Sequence, residues 1–176
     1  NFISFCNSNA PKNELAYTGF GIFSLISTIC SMYSTSNTDI VDKNILLFFY
    51  ETMLILSVSF ITYPIWPQAM KKETPVNIIW NFSVFYILIL CSTFFVMLSN
   101  FSQIQVMISL VNLIVVATLM RWQASLTLII VGAFVSVQAY EHYIGQDITA
   151  SNMLSIEIKV VYLLLLLSSI LIIFFN

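Results

Sequence analysis

Charged side chains are scarce in this sequence. Six lysines and arginines and eight aspartates and glutamates are spread over 176 residues, so that only 8% of the chain is charged, whereas soluble domains carry about 25%. So few charges cannot cover the surface of a globule of this size, which must therefore face lipid over much of its area. The net charge of −2 is also too small to indicate a nucleic-acid partner.

Histidine and cysteine are equally sparse, which excludes several classes of site. The single histidine, His142, cannot form a His-pair metal site. Three scattered cysteines without a C-x-x-C motif indicate neither a disulfide framework nor a zinc site. No H-E-x-x-H, G-x-S-x-G or glycine-rich phosphate loop occurs. We therefore predict no catalytic residue, no metal site and no cofactor in this chain.

Apolar residues, in contrast, make up 59% of the chain and form long runs. A run of about 20 residues, at ~1.5 Å per residue, crosses ~30 Å of hydrocarbon. We predict an all-α fold, a polytopic membrane bundle of six transmembrane helices that follows a polar lead-in at residues 1–15. The predicted spans are about 16–34, 45–63, 78–98, 103–120, 124–143 and 154–175.

The segment Pro64–Asn77 separates two of these spans and sets their orientation. Proline lacks an amide donor and restricts the residue before it, so we predict that no membrane helix runs through Pro64 or Pro75. Lysines beside short apolar spans mark the cytoplasmic side, and tryptophan favours the membrane interface. We therefore predict cytoplasmic termini, with the loops after spans two and four on the same side; the inverted orientation is the alternative. The residues that anchor this topology are Trp66, Lys71, Lys72, Trp80, Arg121 and Trp122.

Some charged residues fall inside predicted spans, among them Glu51 and Lys159. A charge at mid-bilayer costs roughly 2.5–3.5 kcal/mol on insertion scales, so each needs a partner or a path to water. Glu51 in span two and Lys159 in span six lie at similar depth, which predicts an intramembrane ion pair between them. The alternative is that each side chain reaches the outer interface separately.

Span four carries a stripe of polar residues. Ser102, Gln105, Ser109 and Asn112 follow spacings of three, four and three, which places them within about an 80° sector of a helix. Lipid would leave the two carboxamides unpaired, so the stripe should face the bundle interior. It is either an interhelical hydrogen-bonded contact or the polar wall of a pocket for a small uncharged ligand. The candidate ligand-binding residues are Phe95, Ser99, Asn100, Ser102, Gln105, Ser109 and Asn112.

Several features occur in a recognisable order along the chain. They are Ala10-Pro11-Lys12-Asn13, the loop with Trp66, Lys71-Lys72 and Pro75 before Trp80, the aromatic run Phe94–Leu98 with a tight turn at Asn100-Phe101-Ser102, and Gly132 followed by Tyr140. In this order the chain resembles the six-span membrane sensor domain of bacterial histidine kinases of the cholera-autoinducer, or quorum-sensing, type. The resemblance covers nearly the whole chain.

The resemblance implies a specific function. Such a chain is the ligand-sensing input domain of a sensor histidine kinase in two-component signal transduction, placed in the bacterial inner membrane and detecting a small α-hydroxyketone-like signal. We expect a cytoplasmic kinase after Asn176; ATP, Mg²⁺, homodimerisation and a response regulator belong to that part. The parent protein would then be an enzyme although this chain holds no catalytic core. The alternative is a structural or transport subunit of a membrane complex, such as a respiratory-chain subunit.

Overall fold

The computed structural model describes residues 2–35 and 43–144, and over these ranges the chain is helical and contains no strand. The all-α prediction is therefore confirmed for this part of the chain. The elements are α1 (Phe2–Asn9), α2 (Glu14–Thr35), α3 (Lys43–Ile61), a 3-10 turn (Tyr63–Ile65), α4 (Glu73–Leu98), α5 (Gln103–Leu119) and α6 (Trp122–Ile144).

Four of the described helices are long and apolar enough to cross a membrane, namely α2, α3, α4 and the stretch Trp122–His142 of α6. α5 has 17 residues, roughly 26 Å, which is shorter than a ~30 Å hydrocarbon core. The predicted sixth span at 154–175 and Lys159 lie outside the described residues. The count of six spans and the Glu51–Lys159 pair therefore stay predictions, and Glu51 is exposed on α3.

On α2 and α5 the distribution of polar and apolar residues differs from that of a soluble bundle. On α2 the outward face is apolar, with Ile22, Ile26 and Ile29 all exposed, whereas Ser24 and Thr28 are fully buried. α5 follows the same pattern, with an exposed apolar stripe at Ile104, Met107, Val111 and Ile114. Small and hydroxylated residues inside and large apolar residues outside are typical of membrane helices. This arrangement indicates a membrane location.

The polar lead-in folds as α1 and packs against the bundle. Cys6 is fully buried, and its carbonyl oxygen accepts a hydrogen bond from Asn81 Nδ2 at 3.1 Å. Burial raises the pKa of the Cys6 thiol. The Asn9 side-chain oxygen accepts from the backbone N–H of Arg121 at 3.3 Å. α1 therefore lies against the beginning of α4 and the turn before α6.

One end of the bundle collects most of the described basic residues. Lys71 Nζ lies 3.4 Å from Glu14 Oε1, which ties the loop after α3 to the first turn of α2. Together with the contact between Asn9 and Arg121, this places the loops after α3 and α5 at the same end as α1. We call it the basic end, and the end with the turn after α4 the far end. The basic end carries Lys12, Lys71, Lys72 and Arg121.

α4 begins earlier than the sequence predicts. Its first residue is Glu73 and not Ile78, so Pro75 is the third helical residue and the prediction that no membrane helix includes Pro75 is wrong. The first four N–H groups of a helix have no acceptor within it, so a missing one costs little there. Pro64 behaves as predicted, since α3 ends at Ile61 and Pro64 lies in the 3-10 turn.

The middle of α4, Val84–Cys91, is π-helical, a feature that the sequence does not predict. α6 approaches this segment closely at Gly132, where a Cβ would overlap Ile89 Cγ2. Ser136 Oγ of α6 donates to the Leu90 carbonyl at 3.0 Å. A neighbouring helix thus supplies a donor to a carbonyl in the irregular segment, as is needed where water is absent.

The predicted tight turn after α4 is present and has a defined hydrogen-bond pattern. The N–H of Phe101 donates to Val96 O at 2.8 Å and that of Asn100 to Met97 O at 3.1 Å, which is a Schellman motif. Asn100 and Phe101 have φ of 51° and 57°. Ser102 then caps α5, because its side chain accepts from the Gln105 N–H.

Candidate functional site

The polar stripe of α5 faces the bundle interior, as its spacing predicts. Gln105 and Ser109 are fully buried and Asn112 is nearly so. The opposite face of the helix carries exposed Met107 and Val111. The periodicity therefore separates a polar inner face from an apolar outer one.

Two side chains of the stripe are hydrogen bonded to hydroxyls of α2. Gln105 Nε2 donates to Ser31 Oγ at 3.1 Å. Ser27 Oγ donates to Asn112 Oδ1 at 3.0 Å. All four residues are buried. α2 and α5 are thus joined by direct, buried side-chain hydrogen bonds.

The same set of polar residues reaches α4. Asn112 Nδ2 donates to Ser92 Oγ at 3.3 Å, and the hydroxyls of Ser34 and Ser102 lie 3.5 Å apart at the far end. Asn112 therefore links three helices, which favours the interhelical-contact interpretation for this residue. We call the set the polar seam; its members are Ser27, Ser31, Ser34, Ser92, Ser102, Gln105, Ser109 and Asn112.

One atom of the seam is left without a partner. Gln105 Oε1 is buried and accepts no hydrogen bond from the described residues. An unsatisfied buried acceptor costs about 1–3 kcal/mol. The side chain has no solvent-accessible area, so the seam is closed at this point. Chemically, this oxygen can accept a hydrogen bond from a hydroxyl or an N–H group that enters between α2 and α5.

The remaining predicted ligand residues have other surroundings. The ring of Phe95 lies 4.9 Å from that of Tyr50, within a cluster of aromatic rings. Ser99 Oγ donates to Val96 O at 3.1 Å, inside its own helix end. Asn100 is exposed at the turn. The structure therefore brings Ser102, Gln105, Ser109 and Asn112 together and places the other three in different surroundings.

The α2 members of the seam are functional candidates that the sequence analysis does not single out. Their signal is present in the sequence, because Ser24, Ser27, Ser31 and Ser34 repeat the three, four, three spacing of the α5 stripe. Two matching stripes on antiparallel helices predict a shared polar contact. Ser92 has no comparable signal.

Trp80, one of the predicted topology anchors, lies inside the bundle. Its indole is fully buried and lies 4.7 Å from the ring of Phe20 and 5.0 Å from that of Tyr17. Because α4 begins at Glu73, residue 80 lies two turns into the helix and faces α2. Trp66 is half-buried and Trp122 is exposed, both near the basic end.

A cavity of about 460 Å³ opens at the basic end, between α1, α2, the loop after α3 and the beginning of α4. The sequence does not predict it. Charged residues of both signs line it, together with Tyr17, Tyr63 and Asn77. Burial and the nearby Glu14 carboxylate raise the pKa of the Tyr63 phenol, so this side chain is uncharged at neutral pH.

Within residues 2–35 and 43–144, no three His, Cys, Asp or Glu side chains are grouped so that they could hold a metal ion. Comparison with protein-family models, curated proteins and solved structures finds no match to this chain. The resemblance to quorum-sensing sensor domains therefore rests on the order of features in the sequence alone.

Proposed function

We propose that this chain is the membrane-embedded input domain of a sensor histidine kinase in two-component signal transduction, and that it senses a small uncharged signal in a bacterial inner membrane. The observation that carries the proposal is the unpartnered Gln105 Oε1 in the polar seam. The order of sequence features shared with quorum-sensing sensor domains supports it.

An α-hydroxyketone carries the hydrogen-bond donor that Gln105 Oε1 lacks. Its hydroxyl would donate to Gln105 Oε1, and its alkyl chain would lie against the apolar outer faces of α2 and α5. Because Gln105 is closed off, the ligand binds only where the two helices separate locally. A ligand shifts an equilibrium by its differential affinity for two states; here the two states are the closed seam and the opened one.

Thermal unfolding of the full chain in nanodiscs tests the binding step. A medium-chain α-hydroxyketone is expected to raise the Tm, whereas the matching ketone without the hydroxyl is not. Gln105→Leu removes the acceptor and should abolish the shift. Gln103→Leu is the matched control, because Gln103 is exposed two residues earlier on the same helix. Equal shifts with both compounds, or an unchanged shift in Gln105→Leu, contradict the site.

Phosphorylation tests the kinase assignment separately. Membranes that contain the natural gene product are incubated with labelled ATP, with and without the hydroxyketone. The proposal expects an acid-labile phosphohistidine on this protein whose amount changes with the compound. A Tm shift without any phosphohistidine would retain the binding site and reject the kinase.

A structural or transport subunit of a membrane complex is the second candidate. The closed, hydrogen-bonded seam favours it, since such bonds hold helices together at about 0.6 kcal/mol each without any ligand. Native electrophoresis of mildly solubilised membranes distinguishes the two. Two results together would support the assignment as a subunit of a membrane complex: comigration with a fixed set of other subunits, and a Tm that the hydroxyketone does not change.

A further inference from the structure

The cavity at the basic end has a charge pattern that identifies a class of ligand. Two cations, Lys12 and Lys71, and two anions, Glu14 and Glu73, line the same cavity. The lining is therefore neutral overall although it carries both signs. A simple anion or cation would meet a repulsive group at close range, whereas a ligand with both charges would not.

Lys71 is held in place and retains donor capacity. Its ammonium lies 3.4 Å from Glu14 Oε1, donates to Pro64 O at 3.3 Å and sits 5.1 Å from the centre of the Tyr63 ring. These contacts use two of its three N–H donors. Its side chain is 19% exposed, so this cation is oriented towards the cavity by neighbours rather than moving freely in water.

Lys12 and Glu73 are the charged residues of the cavity whose side chains are available to a ligand. Both are exposed, and neither side chain makes a hydrogen bond or an ion pair within the described part of the chain. They are also not paired with each other. An anionic group on the ligand would be stabilised by Lys12 and Lys71, and an ammonium group by Glu73.

The floor of the cavity is held by hydrogen bonds and ring contacts. Tyr17 Oη donates to Asn77 Oδ1 at 3.1 Å, and Asn77 Nδ2 donates to Asn7 Oδ1 at 3.0 Å. The Tyr17 ring stacks on Tyr63 with 4.6 Å between ring centres and meets the edge of Trp80. The volume lies in the usual range of small-molecule pockets, about 300–1,000 Å³. A preorganised floor of this kind lowers the cost of binding.

We propose that this cavity binds a zwitterion that carries one primary ammonium and one phosphate or carboxylate group. Two sources offer that chemistry, the ethanolamine headgroup of a phospholipid and a free solute such as phosphoethanolamine. The proposal is independent of the polar seam, because Gln105 lies towards the far end of the bundle.

Binding is measured on the full chain in phosphatidylcholine nanodiscs. This lipid is chosen because its quaternary ammonium has no N–H and so donates no hydrogen bond. In the first arm phosphoethanolamine is titrated, with inorganic phosphate and ethanolamine alone as single-charge probes. In the second arm phosphatidylethanolamine replaces part of the phosphatidylcholine. The proposal expects a raised Tm in at least one arm, which identifies the source, and about tenfold weaker binding of each single-charge probe.

Variants at exposed positions test the residues without endangering the fold. Lys12→Gln and Glu73→Gln should each weaken zwitterion binding about tenfold, the loss of one charge-assisted contact. Lys72→Gln is the matched control, since it removes the same charge at the same end but does not line the cavity. The proposal is overturned by no Tm shift in either arm, by phosphate alone binding as well as the zwitterion, or by Lys72→Gln weakening binding as much as Lys12→Gln.

Discussion

At the scale of single residues, close helix contacts in this bundle depend on positions with little or no side chain. A Cβ at Gly21 of α2 would lie 2.6 Å from Ile61 N and 2.8 Å from Ser57 O, both backbone atoms of α3 or its end. Beside it, Ser24 Oγ donates to Ser57 Oγ at 2.8 Å. Gly19 on the same helix has nothing within 4 Å of its Cβ position. The two glycines therefore have different roles.

Replacing each glycine by alanine separates these roles. Gly21→Ala should lower the free energy of unfolding by about 1–3 kcal/mol, because backbone cannot move aside as a flexible side chain can. Gly19→Ala should leave it unchanged or raise it by up to about 1 kcal/mol through helix propensity. SDS unfolding of both variants in mixed micelles measures the difference, and equal effects would contradict the close approach of α2 and α3.

A double-mutant cycle measures one bond of the polar seam. Ser27→Ala, Asn112→Ala and the double variant should give a coupling free energy of about 0.6 kcal/mol, with ~1.7 kcal/mol as the upper end for membrane helices. A parallel cycle of Asn112→Ala with Ser59→Ala is the control, because among the described residues Ser59 Oγ bonds only to Ile55 O of its own helix. Zero coupling in both cycles would mean that the Ser27–Asn112 contact does not hold α2 to α5.

At the scale of helices and turns, α4 combines three local backbone features in one continuous helix. It begins with a proline in its first turn, continues through the π-helical segment and ends in the Schellman motif at Asn100. The motif allows α5 to return antiparallel after a turn of only a few residues. That return brings the α5 stripe opposite the hydroxyls of α2, so the polar seam depends on it.

Substitutions at Asn100 test the left-handed turn. Asn100→Gly should raise the free energy of unfolding by about 0.5 kcal/mol, because glycine adopts positive φ without a Cβ clash. Asn100→Val should lower it by about 1–2 kcal/mol, since a β-branched residue is strained there. SDS unfolding of both variants provides the measurement. A Val variant as stable as the Gly variant would exclude positive φ at this position.

At the scale of the whole molecule, the sequence predicts what depends on local periodicity. The helical class, the approximate ends of α2, α3, α5 and α6, the turn at Asn100 and the inward direction of Gln105 all follow from spacing and turn chemistry within one segment. The α5 side of the polar seam can therefore be predicted from the sequence. Its α2 side can be predicted as well, if the spacing of the α2 serines is compared with that of the α5 stripe.

Features that depend on contacts between distant segments are not foreseeable in this way. The docking of α1 on α4, the burial of Trp80 among Tyr17 and Phe20, and the cavity at the basic end each require knowing which helices are neighbours. The early start of α4 shows the same limit, because Pro75 is compatible with either a loop or a first helical turn. Only the hydrogen bonds of the folded chain distinguish these cases.

We expect the four long apolar helices of the described chain to cross a membrane, with the basic end on one side and the far end on the other. Single cysteines test this expectation in a background with Cys6, Cys30 and Cys91 changed to alanine. Gln68→Cys and Gln123→Cys report on the basic end and Gln103→Cys on the far end; all three positions are exposed.

The measurement is labelling by a membrane-impermeant maleimide in sealed vesicles of known orientation. We expect Gln68→Cys and Gln123→Cys to react from one face, the cytoplasmic one, and Gln103→Cys to react only from the other. Reaction of Gln103→Cys and Gln68→Cys from the same face would contradict a membrane-spanning bundle, because α4 would then not pass from one side to the other.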